Sequence, residues 1–201
     1  GCGVINKPGV ISMTSVIPPI IESGNPSIDG SPPRVSRASI PPPTALPLKE
    51  MLNYVKGDAH FKYIFNENQS LSGYSESWGT PTSNDAAVPI PYTGPMSIVY
   101  FNMEGTRTLK LAGNSHGAGI LLVEGDLEID GSFAWYGVIL ATGAVACTGG
   151  GQKNVTGGIM AGKNATIEVT EAAGVIYCSA VSKKLRDIIP ASKIIRWREI
   201  F

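Results

Sequence analysis

The sequence is poor in charged residues and contains no long hydrophobic run. Charged residues make up 16% of the 201 residues, and 16 basic residues balance 16 acidic ones. This balance does not favour nucleic-acid binding, because such affinity comes from neutralising phosphates with basic side chains. No apolar run reaches the roughly 18 residues of a membrane span, and no secretory hydrophobic region opens the chain. We therefore expect neither a nucleic acid nor a membrane as a partner of this chain.

Cysteine and histidine are also scarce. The three cysteines, Cys2, Cys147 and Cys178, are too few and too scattered for a disulfide scaffold. None forms the Cys-x-x-Cys pair of redox, zinc or haem sites. A Cys147–Cys178 disulfide in an oxidising compartment is one interpretation. Two buried thiols that behave as small apolar side chains are the other.

A run of acidic residues suggests calcium, whose ligands are oxygen atoms. The run comprises Glu124, Asp126, Glu128 and Asp130. In a strand, however, Glu128 and Asp130 would both point outward, and the EF-hand spacing is absent. We therefore predict a solvated face with Glu128 beside Lys110 of a neighbouring strand, and no metal or other cofactor.

Enzyme signatures are incomplete as well. Ser115 and His116 are adjacent in a predicted loop, but nothing places an orienting acid or an oxyanion hole beside them. The glycine-rich segment 149–154 lacks the spacing of a phosphate loop and predicts a bulging corner. We assign no catalytic residue. Three tryptophans would suit a sugar-binding platform if exposed, although packing at a corner is favoured for the second: Trp78, Trp135 and Trp197.

Proline and glycine divide the chain into three parts. Ten of the 15 prolines lie in residues 1–47, and 16 of the 24 glycines lie in residues 94–174. Proline-rich runs exclude helices and central strands, so residues 1–47 are predicted to form an extended arm. Residues 48–93 are predicted to be a loop-rich cap. Residues 94–201 are predicted to be a β-structure that ends in a C-terminal strand.

One short helix is predicted at residues 48–55. Leu48, Met51, Leu52 and Val55 recur at helical spacing, and Gly57 ends the run. Together with the basic tail, this helix is a candidate for capping an open end of the β-structure.

Short β-strand patterns repeat every 18 to 20 residues in the glycine-rich part. The first begins at residues 109, 127, 145 and 165, and the second, in phase with it, begins at residues 119, 137 and 157. Two strands per period are typical of a β-solenoid coil, because stacked coils bury apolar faces that a lone strand pair exposes. We predict a short right-handed β-solenoid. An antiparallel meander with glycine-rich hairpins is the alternative.

Alternation along each strand separates inward from outward side chains. The predicted core consists of four inward columns with one residue per coil: Leu109, Leu127, Val145 and Ala165; Leu111, Ile129, Cys147 and Ile167; Leu121, Ile139 and Ile159; and Val123, Ala141 and Ala161. Glycines are expected at the corners between strands, where the chain must turn.

Segments 117–131, 133–139 and 149–157 together resemble the PilX-type pilus assembly proteins, a family of minor pilin-like proteins of type IV pili. Segments 24–30, 77–82, 177–179 and 196–200 extend the resemblance over most of the chain. It implies an extracellular or cell-surface protein without established catalytic residues. The hydrophobic helix that usually opens members of this family is missing from the sequence, so we expect a processed, secreted chain.

These observations favour a non-enzymatic structural protein of a pilus-like filament, as subunit or accessory component. The arm would pair with an exposed sheet edge or solenoid end of another copy or another pilin-like subunit. Its strand-forming residues are predicted to be Val4, Ile5, Val10, Ile11 and Val16. A tip-located adhesin-like binding module is the alternative. A solenoid polysaccharide-active enzyme is less favoured, because such sites need convergent acids.

Overall fold

A computed structural model of the chain shows a mainly β protein in which parallel sheets form a β-solenoid of roughly four turns. It describes residues 10–12, 20–23, 27–29, 35–37, 48–73, 78–81, 92–162, 167–170, 173–176 and 178–189. The strand pairs of the described residues are parallel. The predicted solenoid is therefore confirmed, and the antiparallel meander is wrong.

Fifteen strands and two α-helices make up the described structure. The elements in chain order are β1 (Val10–Ser12), β2 (Ile20–Ser23), β3 (Ser27–Asp29), β4 (Val35–Arg37), α1 (Leu48–Val55) followed by a 3-10 turn (Lys56–Asp58), β5 (Phe61–Ile64), β6 (Gln69–Ser72), β7 (Ser97–Asn102), β8 (Thr108–Ala112), β9 (Ser115–Glu124), β10 (Asp126–Asp130), β11 (Phe133–Ala141), β12 (Val145–Thr148), β13 (Lys153–Ala161), β14 (Ile167–Thr170), β15 (Ala173–Ile176) and α2 (Ser179–Ile188).

Two parallel sheets run along the solenoid. The first has the order β2-β14-β12-β10-β8-β6, and the second has the order β3-β15-β13-β11-β9-β7-β5. From β6 to β15 the chain advances one coil at a time. The strands β2 and β3 break this order, because they belong to the N-terminal arm yet form the coil that follows β14 and β15. A separate two-stranded sheet pairs β1 with β4.

The registers reproduce most of the predicted columns. Leu127 lies between Leu109 and Val145, and Ile139 lies between Leu121 and Ile159. Eleven of the fourteen predicted column residues are at most 3% exposed: Leu109, Leu111, Leu121, Val123, Leu127, Ile129, Ile139, Ala141, Val145, Cys147 and Ile159.

The last coil is displaced relative to the prediction. Ile167 pairs with Val145, and Val169 pairs with Cys147, so the assignment of Ile167 to the Cys147 column is wrong. The connection after β13 is two residues longer than the repeat implies, so the register of β14 against β12 is displaced by two residues. Ala165 lies outside the described residues.

A column of glycines bends the three long strands. Gly119, Gly137 and Gly157 are in register and have φ values of +117°, +152° and +144°. A Cβ atom on Gly137 would lie 1.8 Å from the carbonyl oxygen of Gly119. Only glycine therefore allows adjacent coils to turn here at their normal separation. These three glycines lie within β9, β11 and β13 and not between strands. The expectation of glycine between strands is confirmed at Gly113, Gly131 and Gly149, which have φ values of +68°, +96° and +65°.

Both faces of the second sheet are buried. Its inner face joins the solenoid core through residues such as Val99 and Leu121. Its outer face, with Ile98, Ile120 and Leu122, is covered by α1 and α2. The predicted helix at 48–55 is present, but it lies against the side of the solenoid and not over an end.

Candidate assembly interface

The C-terminal end of the solenoid is occupied by the N-terminal arm. Strand β2 pairs with β14 over four residues, from Ile20 beside Ile167 to Ser23 beside Thr170. Strand β3 pairs with β15 over three residues, with Ile28 beside Val175. The arm thus continues both sheets in parallel. The edge at this end binds a strand through main-chain hydrogen bonds, as any sheet edge does. Such pairing depends little on the identity of the side chains.

The first strand of the arm lies close to a second edge. Strand β13 pairs with β15 only through residues 153–156, and the described residues place no paired strand beside 157–161 on that side. Strand β1, which contains Val10 and Ile11, contacts β13 while pairing with β4. The other predicted assembly residues lie outside the described residues: Val4, Ile5 and Val16.

Aromatic side chains close the opposite end of the solenoid. Tyr63 stacks on Phe101 with ring centroids 4.7 Å apart, and Trp78 meets Phe101 edge-on at 5.7 Å. Phe61 and Phe65 also pack against the core from this end. The sequence contained a signal for this closure, since Phe61, Tyr63 and Phe65 alternate with polar or exposed residues. The predicted cap region therefore contributes strands to the solenoid.

An exposed edge strand follows from this arrangement. Strand β5 is the outermost strand of its sheet and β6 is the outermost of the other. Ile64 is 66% exposed and is the one large hydrophobic residue exposed in the part of the chain that the structure describes. The two ends of the solenoid therefore differ: one has the aromatic closure and β5, and the other has the arm.

A polar cluster fixes α1 and its 3-10 turn to the sheet. Lys56 Nζ lies 2.8 Å from Glu124 Oε1, and the Tyr100 hydroxyl donates to Glu124 Oε2 at 2.5 Å. Burial alone would raise the pKa of Glu124, but the hydrogen bonds from Lys56 and Tyr100 outweigh it and lower that pKa. Burial, together with the bond to Glu124, raises the pKa of Tyr100.

The second helix was not predicted, although its sequence pattern is helical. Val181 and Leu185 recur at a spacing of four and are buried against the outer face of the sheet. Lys184 donates to the carbonyl oxygen of Tyr92, and its ammonium lies 5.8 Å from the centre of the Tyr136 ring. The predicted C-terminal strand falls within residues 190–201, which lie outside the described residues.

The outer face of the first sheet carries the predicted pair of Lys110 with Glu128 and a second pair, of Lys110 with Asp130, that was not predicted. Lys110 Nζ lies 2.9 Å from Glu128 Oε1 and 2.7 Å from Asp130 Oδ2. Hydrogen bonds from Lys110 lower the pKa of Asp130. The acidic run is not one cluster, because Asp126 accepts a hydrogen bond from the amide of Ala144 at 2.7 Å. Because solvent screens these exposed pairs, they add little to the stability of the fold.

The glycine-rich corner, residues 149–151, is organised by a buried lysine. Lys153 is 1% exposed and points inward, at the position that Phe133 occupies one coil earlier. Its ammonium donates to the carbonyl oxygens of Gly149, Gly150 and Gly151 at 2.6, 3.1 and 3.2 Å. The connection from β12 to β13 is two residues longer than the connection from β10 to β11, as the predicted bulging corner requires. The ammonium of Lys153 therefore donates its hydrogen bonds to the loop that directly precedes it in sequence.

The residues considered for chemistry are not brought together. Ser115 and His116 lie in β9 and not in a loop, so their side chains point to opposite faces of the strand. Trp78 and Trp135 are buried, and Trp197 lies outside the described residues. Within the described ranges, no group of three or more His, Cys, Asp or Glu could hold a metal ion.

The predicted Cys147–Cys178 disulfide is wrong. Cys147 is a thiol in the solenoid core, whereas Cys178, at the start of α2, is disulfide-bonded. Cys147 points into the interior column and Cys178 packs on the outside of the second sheet, so the sheet separates them. Burial raises the pKa of the Cys147 thiol to about 11, and nearby Lys153 opposes this only in part.

None of the helices among the described residues has the length and apolarity needed to cross a membrane. Comparison of the chain with family models, with curated proteins and with solved structures finds no match.

Proposed function

We propose that the protein is a non-enzymatic structural subunit or accessory component of a pilus-like filament outside the cell. The observation that carries the proposal is the pairing of β2 and β3 with β14 and β15. A segment that precedes the solenoid in sequence completes its far end. Every copy therefore carries both a donor arm and an acceptor edge.

Exchange of the arm between copies would preserve these contacts. The arm and its acceptor edge would form the same contacts within one chain and between two chains. Exchange of the arm would therefore change the free energy of these contacts little and would join two copies. The donor and acceptor are different surfaces, so each exchange leaves one of each unfilled. Head-to-tail contacts of this kind extend into filaments unless the rotation closes a ring.

The shape of the solenoid supports the same function. Its two ends are distinct, and the outermost strand β5 presents a backbone edge with the exposed Ile64 beside it. Edges of this kind promote association through main-chain hydrogen bonds. The resemblance of the sequence to PilX-type pilus assembly proteins agrees with an extracellular filament as the setting.

The test is to block the arm strands without shortening the chain. Ile21→Pro with Ile28→Pro removes one backbone donor from β2 and one from β3. Val35→Pro makes the same change in β4, which pairs with β1 and lies outside the terminal coil. Light scattering after size exclusion and negative-stain electron microscopy would measure assembly over a range of protein concentrations.

We expect filaments or head-to-tail oligomers of the unmodified chain and of the Val35→Pro variant, and their loss in the double variant. Circular dichroism would show whether the double variant keeps its strands. Assembly that is undiminished in a folded double variant would refute the role of the arm. A chain that remains monomeric at all concentrations would instead favour the tip-located binding module.

A further inference from the structure

The cysteines carry information about the arm. Cys178 is disulfide-bonded, and Cys147 is a thiol buried on the other side of the sheet. The chain contains one further cysteine, Cys2, which belongs to the arm and lies outside the described residues. We propose that Cys178 pairs with Cys2, so that a disulfide fastens the N-terminal arm to the solenoid.

The neighbours of Cys178 fit this pairing. Helix α2, which follows Cys178 directly, contacts β13, and the arm strand β1 also contacts β13. The segment that begins at Val10 and the helix that begins at Ser179 therefore share one strand as a neighbour. Eight residues lead from Cys2 to Val10, and an extended segment of that length reaches roughly 26 Å.

Burial determines when this disulfide forms and breaks. Joining two thiols removes two electrons and two protons, which an oxidant such as glutathione disulfide accepts as it becomes two thiols. A dithiol such as dithiothreitol reverses the step and becomes a cyclic disulfide. Because Cys178 is 1% exposed, a thiolate reaches it slowly in the folded protein. The disulfide therefore keeps in place the arm that was docked when the two thiols were oxidised, whether that arm belongs to the same copy or to another.

This gives the disulfide two forms, and the second rests on the proposed function. When the arm docks on its own solenoid, Cys2 and Cys178 join within one chain. When arms are exchanged, Cys2 of one copy joins Cys178 of the next and the assembly becomes covalent. The same bond then distinguishes a closed monomer from a linked filament.

Peptide mapping tests the pairing directly. The full chain is oxidised with glutathione disulfide, alkylated in denaturant without reduction, and digested with trypsin. We expect peptide 1–34 linked to peptide 164–183, and an alkylated Cys147 in peptide 111–153. A link between 111–153 and 164–183, or an alkylated Cys178, would overturn the proposal.

A pair of variants separates this inference from the proposed function. On a non-reducing gel, Cys2→Ser should abolish disulfide-linked multimers, and the control Cys147→Ala should keep them. Linked multimers that persist in Cys2→Ser would refute the Cys2–Cys178 bond and leave filament assembly standing. Conversely, a mapped 1–34 to 164–183 link in a chain that never multimerises would support the bond and refute the filament subunit.

Discussion

The glycine column makes a sharp prediction about stability, because two adjacent glycines of β13 have opposite environments. Gly157 has a φ of +144°, and a Cβ atom there would lie 1.9 Å from the carbonyl oxygen of Gly137. Gly158 has no atom within 4 Å of its ideal Cβ position. The substitutions Gly157→Ala and Gly158→Ala therefore add the same methyl group to neighbouring residues.

The two substitutions should change the free energy of unfolding in opposite directions. At Gly157, backbone strain costs about 1–3 kcal/mol and overpacking costs about 1–3 kcal/mol more. The neighbouring carbonyl belongs to a strand that is bonded on both sides, so it cannot move away without disturbing another coil. At Gly158, alanine reduces the entropy of the unfolded chain and should stabilise the fold by about 0.4–1 kcal/mol.

Thermal unfolding followed by circular dichroism measures this difference. With about 2–4 °C per kcal/mol for a chain of this size, Gly157→Ala should lower the midpoint by about 4–24 °C. Gly158→Ala should leave it unchanged or raise it by about 1–4 °C. Equal effects of the two substitutions, or a neutral Gly157→Ala, would refute the close stacking of coils at the glycine column.

Three further predictions concern polar groups that are buried or partly buried. Because the pKa of Glu124 is lower in the folded protein than its ordinary value of 4.5, its contacts with Lys56 and Tyr100 stabilise the fold above about that pH and are lost as the pH falls through the folded pKa. Glu124→Gln should thus lower the unfolding midpoint at pH 7 and lower it less as the pH falls below 4.5; a loss that does not change with pH would contradict this linkage. Lys153→Met should speed amide exchange in the glycine-rich corner, measured by mass spectrometry, because three carbonyl oxygens lose their donor; unchanged exchange would show that the lysine does not hold the corner. Cys147, with its pKa raised to about 11, should resist iodoacetamide at pH 8 until urea unfolds the chain, and rapid labelling of the native protein would contradict its burial.

Local repetition explains what the sequence could predict. The equivalence of Leu109, Leu127 and Val145 follows from spacing alone, because each coil repeats one pattern of alternation and turn. The outward pair of Lys110 and Glu128 follows from the same register. Because each coil of a solenoid contacts mainly its neighbours, the sequence repeat alone predicts most of the contacts in the core.

Features that depend on distant segments were not predictable in the same way. Nothing in the local pattern of Ile20 indicates that it pairs with Ile167, because any sheet edge could receive it. The inward position of Lys153 is equally hidden, since a lysine in an alternating strand suggests the solvent face. Only the three carbonyl oxygens of its own corner make the buried ammonium acceptable.

The placement of the arm also sets the order in which the protein can be completed. During synthesis β2 leaves the ribosome early, whereas β14 and β15 follow only after the rest of the solenoid has been made. Ile20 and Ile167 pair across 147 intervening steps of the chain, and such distant contacts form late and slowly. Until then the nascent chain carries an unattached donor with no acceptor of its own. The terminal coil is therefore the last part of the solenoid that the chain can complete.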